Sequence, residues 1–206
     1  MNKVLKSMFA AALATVLVQG AWAAPTIFTS TGQSTTVTYS SGINAATVGY
    51  QLTALGASTA TFAVAINNSG SSILGGFGII DLVPNLTAVT DPNATWDAFV
   101  NANFNGGASM ELCVRGAGSC NANSSTGLGA GLTDAFSITL TFAAPTNGQV
   151  SFEGFLARFS TAGSNNNVIV GGTASALTQG RIPEPGSLAL AGLALVGLAA
   201  CRRARA

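Results

Sequence analysis

Proton transfer in this chain falls to carboxylates, because the sequence contains seven Asp+Glu, three Cys and no His. Without imidazole there is no Ser-His-Asp or Cys-His nucleophile, no His-ligated zinc and no 2-His-1-carboxylate iron. Glu111 and Glu153 are the carboxylates to weigh as a general acid and base. They fall in separate strand candidates and would suit glycoside hydrolysis at a separation of ~5–9 Å. Their flanks, Met110/Leu112 and Phe152/Gly154, carry no glycosidase signature, and a solvated strand face is the plainer reading of each. Asp91, Asn93 and Asp97 gather oxygen atoms of the kind calcium takes, but Asp91 before Pro92 is equally a helix cap. No catalytic residue, metal or cofactor is therefore assigned. Cys113 and Cys120 bracket the six residues Val-Arg-Gly-Ala-Gly-Ser. A thiol catalyst would need a base and zinc would need more ligands, so in an oxidising compartment the pair reads as a disulfide. Such a short loop contributes about 2–3 kcal/mol in the chain-entropy picture. Only eight Lys+Arg are present, too few for nucleic-acid binding by phosphate neutralisation.

The elements that would carry these groups are strands. Phe136, Ile138, Leu140 and Phe142 alternate with Ser137, Thr139 and Thr141, and Phe62, Val64 and Ile66 with Ala63 and Ala65. Further strand candidates are Thr35–Ser40, Thr47–Leu52, Phe77–Val83, Met110–Arg115, Val150–Phe159 and Val168–Gly171. The apolar phase shifts between Phe152 and Phe155, which suggests a bulge at Glu153-Gly154. Asn/Gly/Ser-rich turns separate the runs. About eight strands at this spacing predict an all-β fold, an antiparallel β-sandwich. One short helix is expected after Asp91-Pro92, with Trp96, Phe99, Val100 and Phe104 on one face and Asn105-Gly106 at its end. Trp96 is then a core anchor, with an exposed sugar-stacking role as the other possibility. Thr36/Thr38 and Thr139/Thr141 form Thr-x-Thr pairs of the kind seen on flat ice-binding strands, but two pairs make no array.

Both ends differ from this body. Residues 1–23 have the pattern of a secretory signal peptide: Lys3 and Lys6, then an apolar run from Met8 to Val18, then Ala21-Trp22-Ala23. Cleavage is expected between Ala23 and Ala24. At the other end Arg181-Ile182-Pro183-Glu184-Pro185-Gly186 breaks regular structure. Ser187 to Cys201 follows without a charge, and then come Arg202, Arg203 and Arg205. A helix over that stretch would be roughly 22 Å long, a short transmembrane helix that Gly186 and snorkelling arginines extend. The arginines place the C-terminus in the cytoplasm. Leu198-Ala199-Ala200-Cys201 matches a lipobox, but only five residues follow it, so Cys201 reads as a small apolar residue. Between the ends, residues 24–180 carry two Arg against six Asp+Glu, a net of −4.

The tail resembles the PEP-CTERM sorting signal of exosortase substrates: Pro183-Glu184-Pro185, an apolar helix over 187–201, and Arg202/Arg203/Arg205, in that order. The resemblance covers residues 181–206. It implies processing near the motif by exosortase, a membrane-embedded cysteine protease. It also implies transient residence in the inner membrane of a Gram-negative bacterium, then release to the cell surface or extracellular matrix.

The domain plan expected is thus a signal peptide (1–23), a secreted β-sandwich (24–180) and a sorting segment (181–206). The partners expected are the Sec and signal-peptidase machinery, exosortase and, for the body, exopolysaccharide. The expected role is structural or adhesive and not enzymatic. A carboxylate-dependent polysaccharide hydrolase, or an ice- or carbohydrate-binding module, is the alternative.

Overall fold

The computed structural model describes residues 24–90, 92–104, 108–116, 118–121, 126–160 and 167–179. The expected signal peptide with Ala23, the sorting tail with its Pro183-Glu184-Pro185 motif, apolar helix and arginines, and the Asp91 cap all lie outside the described residues. Within them the chain is all β. Twelve strands run in order: β1 (Thr26–Phe28), β2 (Gln33–Ser41), β3 (Asn44–Leu55), β4 (Thr59–Asn67), β5 (Ile73–Val83), β6 (Leu86–Val89), β7 (Trp96–Phe104), β8 (Ala108–Gly116), β9 (Thr133–Phe142), β10 (Val150–Ser160), β11 (Asn167–Ala174) and β12 (Thr178–Gln179). All eight strand candidates of the sequence fall inside these elements.

The architecture departs from the expected sandwich. Every strand joins one antiparallel sheet in the order β6-β9-β4-β3-β2-β11-β10-β5-β8-β7, with β1 on β10 and β12 on β2. The two end strands, β6 and β7, lie against each other, so the sheet nearly closes into a barrel. Alternation cannot separate the two folds, because inward and outward residues alternate along strands in both. The interior is filled by side chains and holds a chain of edge-to-face and tilted aromatic contacts. Phe28–Phe62 and Phe62–Phe152 centroids are 5.0 and 4.9 Å apart, and Tyr50–Phe152 lies at 5.6 Å.

The expected helix after Pro92 is strand β7, paired with β8 from Trp96↔Gly116 to Phe104↔Ala108. Two features of the strand imitated a helical stripe. Trp96, Ala98 and Val100 face the barrel interior, whereas Phe99, Ala102 and Phe104 pack into a second apolar cluster on its outside. Apolar residues on both faces then fall at mixed spacings. The Asx signal belongs to Asn93, whose Oδ1 accepts the Thr95 and Trp96 N–H groups at 2.8 and 3.0 Å and leads the chain into β7. The expected helix end at Asn105-Gly106 lies outside the described residues.

A crease crosses four adjacent strands. Glu153↔Asp81 and Phe155↔Ile79 flank the opposed residues Gly154 and Ile80. Val100↔Leu112 and Ala102↔Met110 likewise flank Asn101 and Glu111. At this level each strand changes which face it buries. Gly154 and Asn101 adopt left-handed backbone, with φ of 66° and 51°. The phase shift expected at Glu153-Gly154 is therefore present. Its cause is different, because β5 breaks phase opposite it and the ladder keeps its register. Such bends let a sheet curl toward closure.

Candidate functional site

A trough lies on the outer faces of β2, β3, β4 and β9. Register sets side chains there in rows: Thr38–Thr47–Asn67–Thr133, Thr36–Gly49–Ala65–Ala135, and Ser34–Gln51–Ala63–Ser137. The floor is low because its middle row ends in Gly and Ala, and hydroxyls and amides rise on either side. Two adjoining depressions of about 630 and 320 Å³ result. Thr36 and Thr38 lie at one side of this face and Thr139 and Thr141 at the other, with β3 and β4 between them. Gly49, Ala63, Ala65 and Ala135 interrupt any regular threonine array. Asp134 lines the trough but is engaged beneath it. Its Oδ2 accepts Trp96 Nε1–H at 2.7 Å and its Oδ1 accepts Ala135 N–H at 2.8 Å. Trp96 has no exposed surface, so it is a core anchor as expected, held by a strand.

The two carboxylates weighed as a pair stand on different strands. Strand β5 separates Glu111 on β8 from Glu153 on β10, and Asp81 stands opposite Glu153. Two strand spacings amount to roughly 10 Å between the parent backbones. Glu111 is engaged locally. The β5–β8 ladder ends at Ile79↔Leu112, and beyond it Leu82 N–H donates to Glu111 Oε2 at 2.7 Å. The Leu86 backbone N–H also bonds this carboxylate. Glu111 therefore ties the turn between β5 and β6 to the crease. Burial, reinforced by the charge of Asp81, holds its carboxyl above the usual range despite these two bonds.

Glu111→Ala is expected to cost about 1–3 kcal/mol, because two backbone donors lose their acceptor. Glu111→Gln keeps an oxygen in place and should cost less. A raised folded pKa means that the folded chain holds its proton more tightly than the unfolded chain. That contribution is complete below the ordinary value of 4.5 and is lost as the pH rises through the folded value. The Gln variant has no such loss, so its stability relative to wild type should improve between acid and neutral pH in chemical denaturation. A Gln variant as damaged as the Ala variant at neutrality would contradict this role.

Of the residues weighed for calcium, Asp91 lies outside the described residues and the other two are used separately. Asn93 serves the entry of β7, and Asp97 Oδ2 accepts Gly118 N–H at 2.9 Å. Among the described residues no three His, Cys, Asp or Glu side chains gather as a metal site.

Cys113 and Cys120 form the expected disulfide, with Cα atoms 6.5 Å apart. It lies in the outer cluster with Phe104 and Met110, against Ile80, Phe99, Leu156 and Ile169. Beneath it is a feature that sequence reasoning missed. Arg115 and Arg158 flank Gly76 in register, and each is about 1% exposed. Cys120 C=O accepts from both, at 3.3 Å from Arg115 Nη1 and 3.2 Å from Arg158 Nη1, and Ser119 C=O accepts from Arg115 at 2.6 Å. Burial, then the charge of Arg158, lowers the Arg115 guanidinium to about 10. These arginines organise the disulfide loop. The available signal was that they are the only cations in residues 24–180, each within an apolar strand run.

The two ends of the described chain meet. A cleft of about 260 Å³ is lined by Ala24–Ile27 on one side and Ala174–Leu177 on the other.

A family model for the PEP-CTERM protein-sorting motif matches residues 181–203. No curated protein and no solved structure matches the chain. The motif implies an exported chain that is anchored transiently in the membrane and processed by exosortase.

Proposed function

We propose that this is a non-enzymatic surface or matrix protein of a Gram-negative bacterium, and that its barrel is structural and weakly adhesive toward exopolysaccharide. The sorting motif supplies the exported part of this reading. The observation that carries the adhesive part is the trough, whose Thr36, Thr47, Asn67 and Thr133 offer neutral hydrogen-bonding groups over a small-residue floor. Sugar hydroxyls can exchange hydrogen bonds with such groups without desolvating a charge. The partly exposed charges of the described body are all carboxylates, since both arginines are buried. Adhesion to an acidic polymer therefore falls to the neutral face.

Co-sedimentation of the processed protein with the exopolysaccharide of its own matrix tests this. Wild type should pellet with the polymer, and Ala65→Glu with Ala135→Glu, which places charge on the trough floor, should remove that binding. Equal pelleting of both proteins overturns the trough as the adhesive face. Release of reducing ends by wild type, abolished in Glu111→Gln or Glu153→Gln, would replace the whole reading with a hydrolase.

A further inference from the structure

We propose that the trough seats uncharged sugar units and turns away carboxylated ones, and that Asp134 is the residue that makes this choice. This names the ligand class of the adhesive face described above and rests on that reading. Strand β9 turns Thr133, Ala135 and Ser137 to the outer surface and Asp134 toward the interior. Asp134 nevertheless lines the larger depression, between Thr133 and Ala135 and opposite Ile66 of β4. Its carboxylate thus lies under the floor, where the row Gly49–Ala65–Ala135 places little side-chain volume above it.

Two hydrogen bonds fix the group there. Oδ2 accepts Trp96 Nε1–H at 2.7 Å and Oδ1 accepts Ala135 N–H at 2.8 Å. One flank of the carboxylate is therefore the apolar interior around Trp96, which screens its charge less than water does. Among the described residues that line the two depressions, Asp134 carries the only formal charge. The cations of residues 24–180 are Arg115 and Arg158, each about 1% exposed on strands outside the trough.

The walls suit the opposite kind of ligand. Thr47, Asn67 and Thr133 stand on one side of the floor and Ser34 and Gln51 on the other. Their hydroxyls and amides both donate and accept, as sugar hydroxyls do. The floor crosses four strands, roughly 14 Å, which gives room for a few sugar rings in line. A carboxylated unit seated there meets a like charge within the ~8–10 Å Debye length and no cation to offset it. At a dielectric between that of the surface and that of water, this repulsion weakens binding roughly tenfold per carboxylate.

The test is co-sedimentation of the processed protein with two forms of its own matrix polysaccharide. In one form the carboxyl groups are reduced to alcohols, and in the other the primary hydroxyls are oxidised to carboxylates. Wild type should bind the reduced form about tenfold more tightly than the oxidised form. Asp134→Asn keeps an oxygen for Trp96 Nε1–H and removes the charge, so its preference should fall to about twofold. Glu153→Gln makes the same change of net charge on β10, away from the trough, and should keep the wild-type preference. In wild type alone, raising the salt from about 0.05 to about 0.5 M should also shrink the preference, because the rejection is electrostatic; this measurement needs no variant to fold. Equal binding of the two forms by wild type, an unchanged preference in Asp134→Asn or at high salt, or an equal relaxation by Glu153→Gln overturns the proposal and leaves the adhesive reading standing. Failure of wild type to pellet with either form overturns the adhesive reading, and the selection with it.

Discussion

Trp96→Ala is expected to lower the unfolding free energy by about 3–5 kcal/mol, a large share of the stability of an ordinary domain. The indole is fully buried where the nearly closed sheet meets itself, at the start of β7. It packs against Phe77 and Phe136 with centroids 5.7 and 6.1 Å away. Its N–H is also the donor that Asp134 Oδ2 accepts on β9. Truncation therefore opens a cavity and breaks a tie from β7, at one end of the strand order, to β9, which lies beside the other end. Trp96→Phe keeps most of the packing and loses only the hydrogen bond, which should cost about 1–3 kcal/mol. Guanidinium unfolding followed by circular dichroism gives both values. If Ala costs no more than Phe, Trp96 is not the anchor described above.

The second large effect appears in alkali. Both tyrosines of the chain, Tyr39 and Tyr50, lie inside the barrel with no more than 1% exposure. Burial pushes both phenols far above the ordinary value of 10, and for Tyr39 the neighbouring Tyr50 adds to the shift. Above pH 10 the unfolded chain gives up these two protons and the folded chain keeps them. Stability contributed by the phenols is thus complete below that pH and falls as the pH rises beyond it. Two such groups change the unfolding free energy by about 2.7 kcal/mol per pH unit. Arg115, lowered to about 10, acts in the opposite sense over the same range. The phenol contribution is accordingly read as the difference in slope between wild type and a Tyr39→Phe/Tyr50→Phe chain. In wild type the phenolate absorbance should appear in one step that coincides with loss of the β signal. A gradual phenolate titration in a chain that stays folded would contradict the buried placement.

Strand existence was legible because alternation survives wherever one face is core. Phe136 to Phe142 in β9 and Phe62 to Ile66 in β4 carry it plainly. Closure was not legible, since it depends on β1, β6 and β12. These strands of three, four and two residues are too short to show a period, and each pairs with a strand distant in sequence. β7 failed for a physical reason: it buries both faces, and two-sided burial erases the period-two signal that identifies a strand. Arg115 and Arg158 entered only the charge balance, although two lone cations within apolar runs could have been read as buried. Glu111 and Glu153 could be weighed only as a possible pair. The crease that turns Glu111 onto Leu82 arises from four strands that break phase at one level, and only one of those breaks, at Glu153-Gly154, was visible along the chain. The tail was legible because a sorting signal is linear: Pro183-Glu184-Pro185 and the residues up to the arginines act in sequence order.

The most direct measurement of the central claim is the mass and location of the protein in its own cells. Fractions from wild type and from a Pro183-Glu184-Pro185→Ala chain should be compared by intact mass. Wild type should appear at the cell surface or in the matrix with its C-terminus shortened near the motif, and the variant should remain in the membrane at full C-terminal length. Identical membrane retention and identical C-terminal mass in the two would contradict an exosortase-sorted surface protein.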